Sequence, residues 1–151
     1  MNTINTLKNL LNKFIIHPEP PINTNIKRYI LAIYLFGSFS KNSQKKDSDI
    51  DLAFVFNELF YKIDPFIALQ QAELLSIKIS KNIKRLVDVV VLNGCSLSFA
   101  YFTVRNGICL YEKNSVERIL YEVSLDNKYH DFKPFIEELR ELKKDKVSGR
   151  N

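Results

Sequence analysis

Two short apolar runs, joined by a polar loop, constrain the fold of this chain most. Residues 28–36 and 49–56 are rich in aromatic and β-branched side chains, and Gly37-Ser38 ends the first run. Runs of this length and composition predict two strands, and the first should be a central strand that is buried on both faces. The same pattern predicts a third strand over 85–92 and a fourth over 108–112.

Helical periodicity accounts for most of the remaining chain. It predicts helices over 3–16, from Pro65 to about Lys81, over 96–104, from Ser115, and a last helix that starts at Pro134. The predicted fold class is α+β (α/β), a small mixed sheet of about four strands with helices packed on it. We expect one domain over 1–151, with a core at about 29–112, a helical C-terminal part at 113–143 and a frayed tail at 144–151.

Composition narrows the class of protein further. The chain has 151 residues and a net charge of +5. This charge favours a polyanionic partner, and a mildly basic surface without such a partner is an equal alternative. Cys95 and Cys109 match no metal spacing and are expected to be buried free thiols in a reducing cytoplasm. No signal peptide and no run that could span a bilayer is evident, and the lysines of the tail are expected to be solvated rather than bound to nucleic acid.

Two aspartates at the start of the second strand suggest a cation site. Asp49 and Asp51 are one residue apart, so they share a face of the strand while Ile50 and Leu52 point into the core. Like charges held together need compensation, and Mg²⁺ takes oxygen ligands of this kind. If the strand over 85–92 lies beside the second strand, Asp88 reaches the same site, where three carboxylates could hold two metals and Asp88 could accept a proton.

The Gly-Ser turn and its basic loop suggest a phosphate site. Gly37 lets the backbone turn tightly, and Ser38 offers a hydroxyl and an N–H at an expected helix start. Three lysines, Lys41, Lys45 and Lys46, could neutralise a triphosphate. Each signal has a plain alternative, since the aspartates could be turn and edge residues and the lysines a solvated loop. It is their combination that favours a nucleotide site.

The stretch GSFSKNSQKKDSDIDL, with VDVVVL at 87–92, resembles the signature of the DNA polymerase β-type nucleotidyltransferase superfamily, and its size is similar to the minimal (MNT) nucleotidyltransferases. The resemblance implies that Asp49, Asp51 and Asp88 bind two Mg²⁺ ions and that Gly37 and Ser38 contact the triphosphate of ATP. Relatives often read G-S-x-A-R-G at the turn. Here Lys41 keeps the positive charge but not the bidentate contact of Arg, and Asn42 replaces the second glycine.

The resemblance also implies a partner and a reaction. Small MNT proteins commonly act as antitoxins that transfer AMP from ATP to a tyrosine of a HEPN-domain ribonuclease toxin. Two alternatives stay open: an antitoxin that masks the toxin by binding without catalysis, and an antibiotic nucleotidyltransferase. The last is disfavoured, because little chain follows Glu112 to form a second substrate-binding domain.

Overall fold

The computed structural model describes residues 2–38 and 49–147, and within them a four-stranded sheet carries helices on both faces. The strands are β1 (Ile30–Phe36), β2 (Ile50–Phe56), β3 (Val87–Val91) and β4 (Ile108–Glu112), in the spatial order β3-β2-β1-β4. β1 runs antiparallel to β2 and β4, whereas β3 runs parallel to β2. The predicted mixed sheet, with a central first strand, is therefore confirmed.

The helices are α1 (Thr3–Ile16), α2 (Ile26–Tyr29), α3 (Glu58–Ile63), α4 (Pro65–Ile83), α5 (Leu97–Asn106) and α6 (Ser115–Val147), with a 3-10 turn at Leu92–Gly94. Side-chain caps fix several of their starts. Asn2 accepts a hydrogen bond from the Ile4 N–H, and Asp64 accepts from Phe66 and Ile67 just before the first-turn proline of α4. These caps supply acceptors for N–H groups that have no partner inside their own helix.

Successive side chains of the strands point to opposite faces of the sheet, so the core has two layers. Ile50, Leu52 and Phe54 face α1 and α4, where the larger cluster of fully buried side chains lies. Ala53 and Val55 face the opposite way, toward a smaller cluster that includes residues of α5 and α6. The inward orientation predicted for Ile50 and Leu52 is confirmed, and the opposite face is the one that carries the odd-numbered residues of β2.

The structure corrects the predicted elements between residues 23 and 91 in three places. The first strand does not start at residue 28, because Asn23 and Asn25 form a turn that continues as α2 up to Tyr29. β3 covers 87–91 rather than 85–92, and the short helix α3 was not predicted. Cys95 and Cys109 are free thiols as predicted, but they are half-buried rather than buried.

The C-terminal helix differs most from the sequence prediction. Pro134 does not start a new helix but lies inside α6, which continues through 144–147, where a frayed tail was expected. Proline removes one N–H, so only the carbonyl four residues earlier loses its helical partner. Pro134 is exposed, and water can solvate that carbonyl. In the described ranges, no helix combines the length and the apolarity that crossing a bilayer requires.

Candidate functional site

The Gly-Ser turn leaves β1 directly beside the second aspartate of the D-x-D pair. Phe36 pairs with Asp51 in the antiparallel register, so Gly37 follows immediately at the end of that pairing. Gly37 has a φ of +75°, in the left-handed region that side chains disfavour. A Cβ placed on Gly37 would lie 2.5 Å from Oδ2 of Asp51. Both the backbone conformation and the position of the carboxylate therefore require glycine here.

Asp51 and Asp88 are direct neighbours across the parallel pair of strands. The register of β2 and β3 pairs Asp51 with Asp88, as the sequence predicted on condition that the two strands were adjacent. Their side chains lie on the face that also carries Ala53 and Val90, on the side of α5 and α6. Asp51 is partly buried, whereas Asp88 and Asp49 are exposed. Exposure makes both accessible to a ligand or to an acceptor group.

The charges of these three carboxylates interact. Burial is the largest cause that raises the pKa of Asp51, and the charges of Asp88 and Asp49 raise it further. The ionised form of Asp51 is therefore disfavoured until a cation lies close to it. This energetic cost is what a site for a cation is expected to show in the absence of that cation.

The donor set fits Mg²⁺. Carboxylate oxygens are the ligands that this ion prefers, and it usually takes only one or two of them and completes its shell with water and phosphate oxygens. Within 2–38 and 49–147, no three histidine, cysteine, aspartate or glutamate side chains are arranged to enclose a metal ion. Asp51 and Asp88, paired across β2 and β3, fit an ion that takes one or two carboxylates and completes its shell with the phosphate oxygens of a nucleotide. The assignment of Asp49, Asp51 and Asp88 as metal ligands and catalytic residues stays a prediction.

The predicted phosphate-binding residues are only partly within the described chain. Ser38 lies in the turn after Gly37. The predicted nucleotide-binding residues Lys41, Lys45 and Lys46, and the helix expected after Ser38, lie outside the described residues. Their roles stay predictions.

Sequence reasoning missed a groove on the other side of Gly37. It has a volume of about 470 Å³ and is lined by residues of the β1 end, α5 and α6, among them Phe36, Gly37, Phe99, Phe102, Asn106 and Arg140. Phe99 and Phe102 are 41% and 45% exposed, although both are large apolar side chains. Two aromatic residues three apart on one helix were a signal in the sequence, but their proximity to Gly37 depends on the tertiary fold.

Comparisons with known proteins agree with this geometry. The model of the family described as "Polymerase beta, Nucleotidyltransferase" matches residues 22–116. A curated relative, "Protein adenylyltransferase MntA" from Aphanizomenon flos-aquae (strain 2012/KM1/D3), is 33% identical over 89 residues, which are 56% of this chain and 59% of that protein. The match thus spans less than two thirds of the relative's own length.

Solved structures share the fold over nearly the whole chain. A chain from a toxin-antitoxin structure with AMP-PNP is 22% identical with a TM-score of 0.57, covering 92% of this chain and 99% of that one. A chain from a complex of a tri-AMPylated Shewanella oneidensis HEPN toxin with its MNT antitoxin is 19% identical with a TM-score of 0.53, covering 91% and 99%. At these identities the similarity establishes a shared fold.

Proposed function

The chain belongs to the polymerase beta nucleotidyltransferase family, and from this we propose that it is a protein adenylyltransferase that acts as an antitoxin. The proposed reaction moves AMP from ATP to a tyrosine of a cognate HEPN-domain ribonuclease toxin and so silences it. The observation that carries the proposal is the packing of Asp51 against the Gly37 turn and beside Asp88. The curated relative's name and the AMPylated toxin of the similar complex support the same reaction.

The proposed transfer needs a nucleophile, a leaving group and a proton acceptor. The phenolic oxygen of the toxin's tyrosine forms a bond to the α-phosphorus of ATP, and the bond from that phosphorus to the bridging oxygen breaks to release pyrophosphate. Asp88 is exposed and can accept the phenolic proton. When bound, Mg²⁺ (two ions are proposed) supplies neutralisation of the phosphate and pyrophosphate charge. The chain's remaining contribution is to position the groups.

Each predicted site residue has a role in this proposal. Gly37 lets the backbone approach the triphosphate, Ser38 adds polar contacts, and the three lysines outside the described residues would neutralise phosphate charge. Asp49, Asp51 and Asp88 would hold Mg²⁺ through their oxygens. ATP as the substrate and the cytoplasm as the location are part of the proposal.

The decisive experiment is label transfer to the product of the neighbouring gene. Purified protein, Mg²⁺ and α-labelled ATP are mixed with that partner, and an Asp49→Asn/Asp51→Asn variant runs in parallel. A Glu73→Gln/Glu138→Gln variant removes the same two charges from exposed helix positions and serves as the matched control. We expect label on the partner with wild type and control only. Transfer by a correctly folded Asp49→Asn/Asp51→Asn variant would contradict the assignment of the site.

A second candidate, neutralisation by binding alone, is favoured by the surface of α6. Phe132, Phe135, Leu139 and Leu142 are between 44% and 58% exposed, an unusual set of apolar side chains for a surface helix. A masking antitoxin would need such a surface and no carboxylate site. Neutralisation of the toxin by the Asp49→Asn/Asp51→Asn variant, without ATP, would favour masking over transfer.

A further inference from the structure

Within 2–38 and 49–147, no strand pairs with the outer edge of β3, the strand that carries Asp88. The Ile50 N–H donates to the Leu86 carbonyl, and the parallel register continues from that bond. The even-numbered residues of β3 therefore direct their backbone N–H and C=O groups to β2, and the odd-numbered Val87 and Val89 direct theirs away from the sheet. This edge presents backbone donors and acceptors at the spacing of a strand.

We propose that the outer edge of β3 binds the acceptor segment of the partner protein as an added strand, with the acceptor tyrosine beside Asp88. The proposal rests on the proposed function, because it takes AMP transfer to a protein as the reaction. It goes beyond that function by assigning the surface that holds the acceptor and the conformation in which the acceptor is recognised. The ligand class is an extended polypeptide segment that contains a tyrosine, bound through main-chain hydrogen bonds.

A row of paired residues across three strands sets the direction from which the acceptor approaches. Phe36, directly before the Gly37 turn, pairs with Asp51. Asp51 in turn pairs with Asp88, so the turn and the two aspartates lie on successive strands, each about 4.8 Å from the next. In an in-line transfer, the attacking oxygen and the leaving pyrophosphate lie on opposite sides of the α-phosphorus. With pyrophosphate at the Gly37 turn, the tyrosine oxygen forms its bond from the β3 side, and Asp88 accepts the phenolic proton.

β3 lacks the features that usually keep an edge strand from pairing. Natural edge strands are protected by lysine, proline, a bulge or a covering segment. Val87–Val91 consists of four valines and Asp88, and three of the valines are only half-buried. At the other edge of the sheet, β4 ends in Glu112, which pairs with Arg118, and Lys113 follows. The charged residue of β3 is thus the one that the proposed reaction uses.

An exposed leucine beside Asp88 favours a tyrosine over a small hydroxyl residue as the acceptor. Leu86 is 61% exposed, although it lies directly before β3. Because its carbonyl belongs to the ladder with Ile50, strand alternation places Leu86 and Asp88 on the same face. A tyrosine held beside Asp88 can cover Leu86 with its ring while its hydroxyl reaches the carboxylate. A serine would leave this leucine in water.

Hydrogen exchange of the backbone amides of β3 tests the proposal on the wild-type protein. Isotope-labelled protein is measured by NMR, alone and with the product of the neighbouring gene, both with Mg²⁺ and the α,β-methylene analogue of ATP, which cannot transfer AMP. We expect exchange of the Val89 amide to slow about tenfold or more in the complex, because this amide gains a hydrogen-bond acceptor. The Val90 amide already bonds to β2 and should change by a smaller factor, which makes it the internal control.

A proline substitution tests the same edge by kinetics. Val89→Pro removes an N–H that points outward and keeps every N–H that bonds to β2, a change that edge strands tolerate. It should raise the KM for the partner about tenfold or more and leave the KM for ATP unchanged. Val89→Ala loses the same side chain but keeps the N–H, so it is the matched control and should stay within about threefold of wild type.

A second substitution tests the contact with the tyrosine ring. Leu86→Ala should raise the KM for the partner about fivefold, because it removes part of the apolar surface that the ring covers. Leu59→Ala, at a 69% exposed leucine of α3, is its matched control and should leave this KM unchanged. Thermal melting confirms that the variants remain folded. Leu86 is exposed, so its variant remains informative if Val89→Pro loses stability.

The outcomes separate the two proposals. If wild type labels the partner while the Val89 amide exchanges equally fast with and without it, the edge assignment is wrong and the proposed function stands. A folded Val89→Pro variant with the wild-type KM for the partner would also overturn the edge assignment. If wild type neither binds nor labels the partner, the proposed function fails and the edge assignment fails with it.

Discussion

Replacing Gly37 by alanine tests the geometry of the site with one methyl group. Gly37 has a φ of +75°, and a Cβ added to it would lie 2.5 Å from Oδ2 and 3.4 Å from Cγ of Asp51. The first feature strains the backbone of any residue that has a Cβ. The close contact forces the Asp51 carboxylate to move, because the end of a side chain can shift more easily than the backbone of Gly37.

The backbone strain and the displaced carboxylate change different quantities, the free energy of unfolding and the rate of transfer. The left-handed conformation costs alanine about 1–2 kcal/mol, which should lower the free energy of unfolding by that amount. At roughly 2–4 °C per kcal/mol for a chain of this size, the melting temperature should fall by about 2–8 °C. The displaced carboxylate should affect the proposed AMP transfer more than stability, because a shift of about 1 Å in a positioned group can lower a rate about 100-fold.

Thermal melting and AMP transfer to the partner measure the two effects on the same preparation. Gly94→Ala is the matched control, because its added methyl group meets the hydroxyl end of Tyr61, on a different element, and should leave transfer intact. In an Asp51→Ala background, Gly37→Ala should retain only the backbone penalty, since the clashing carboxylate is absent. A Gly37→Ala variant with wild-type melting and wild-type transfer would refute the reasoning.

Two further predictions concern charge. Asp51→Asn should raise the melting temperature at neutral pH without Mg²⁺. Folding raises the pKa of Asp51, so ionisation of this carboxyl opposes folding. Melting curves at different pH values should show that the difference in melting temperature between the variant and wild type vanishes below the unfolded pKa of about 3.9. Arg118→Ala should lower the free energy of unfolding in urea by about 1–2 kcal/mol, because Arg118 pairs with both Glu112 and Glu122. Lys144→Ala removes only the exposed Lys144–Glu141 pair and should leave the free energy of unfolding nearly unchanged.

The sequence was sufficient to predict the carboxylate arrangement because it depends on local alternation and one strand pairing. A D-x-D pair on a strand must share a face, and a lone aspartate in an apolar strand must lie where a polar environment exists. The parallel pairing of β2 with β3 then places Asp88 opposite Asp51. Each step uses the period of a strand, which sequence patterns carry directly.

The features that sequence could not predict depend on hydrogen bonds or contacts between distant segments. The turn at α2 follows from Asn25 N–H donating to the Asn23 side chain, a competition that hydrophobic periodicity does not record. The groove joins Gly37 to Arg140, and only the packing of α5 and α6 on the sheet brings them to one surface. Pro134 predicted a helix start, but a single missing N–H at an exposed position does not end a helix that is otherwise intact.

Asp51 has opposite effects on stability and on the proposed chemistry. Its burial beside Gly37 fixes the carboxylate where a phosphate-bound cation would lie, and the same burial, with Asp88 and Asp49 nearby, disfavours its charge. A side chain chosen only for stability at this position would be neutral, so an aspartate here is consistent with the proposal that a bound cation offsets the repulsion during function. Addition of Mg²⁺ with a nucleotide should therefore raise the melting temperature of wild type more than that of Asp51→Asn. Wild type should then melt at the higher temperature, whereas without ligand Asp51→Asn should do so.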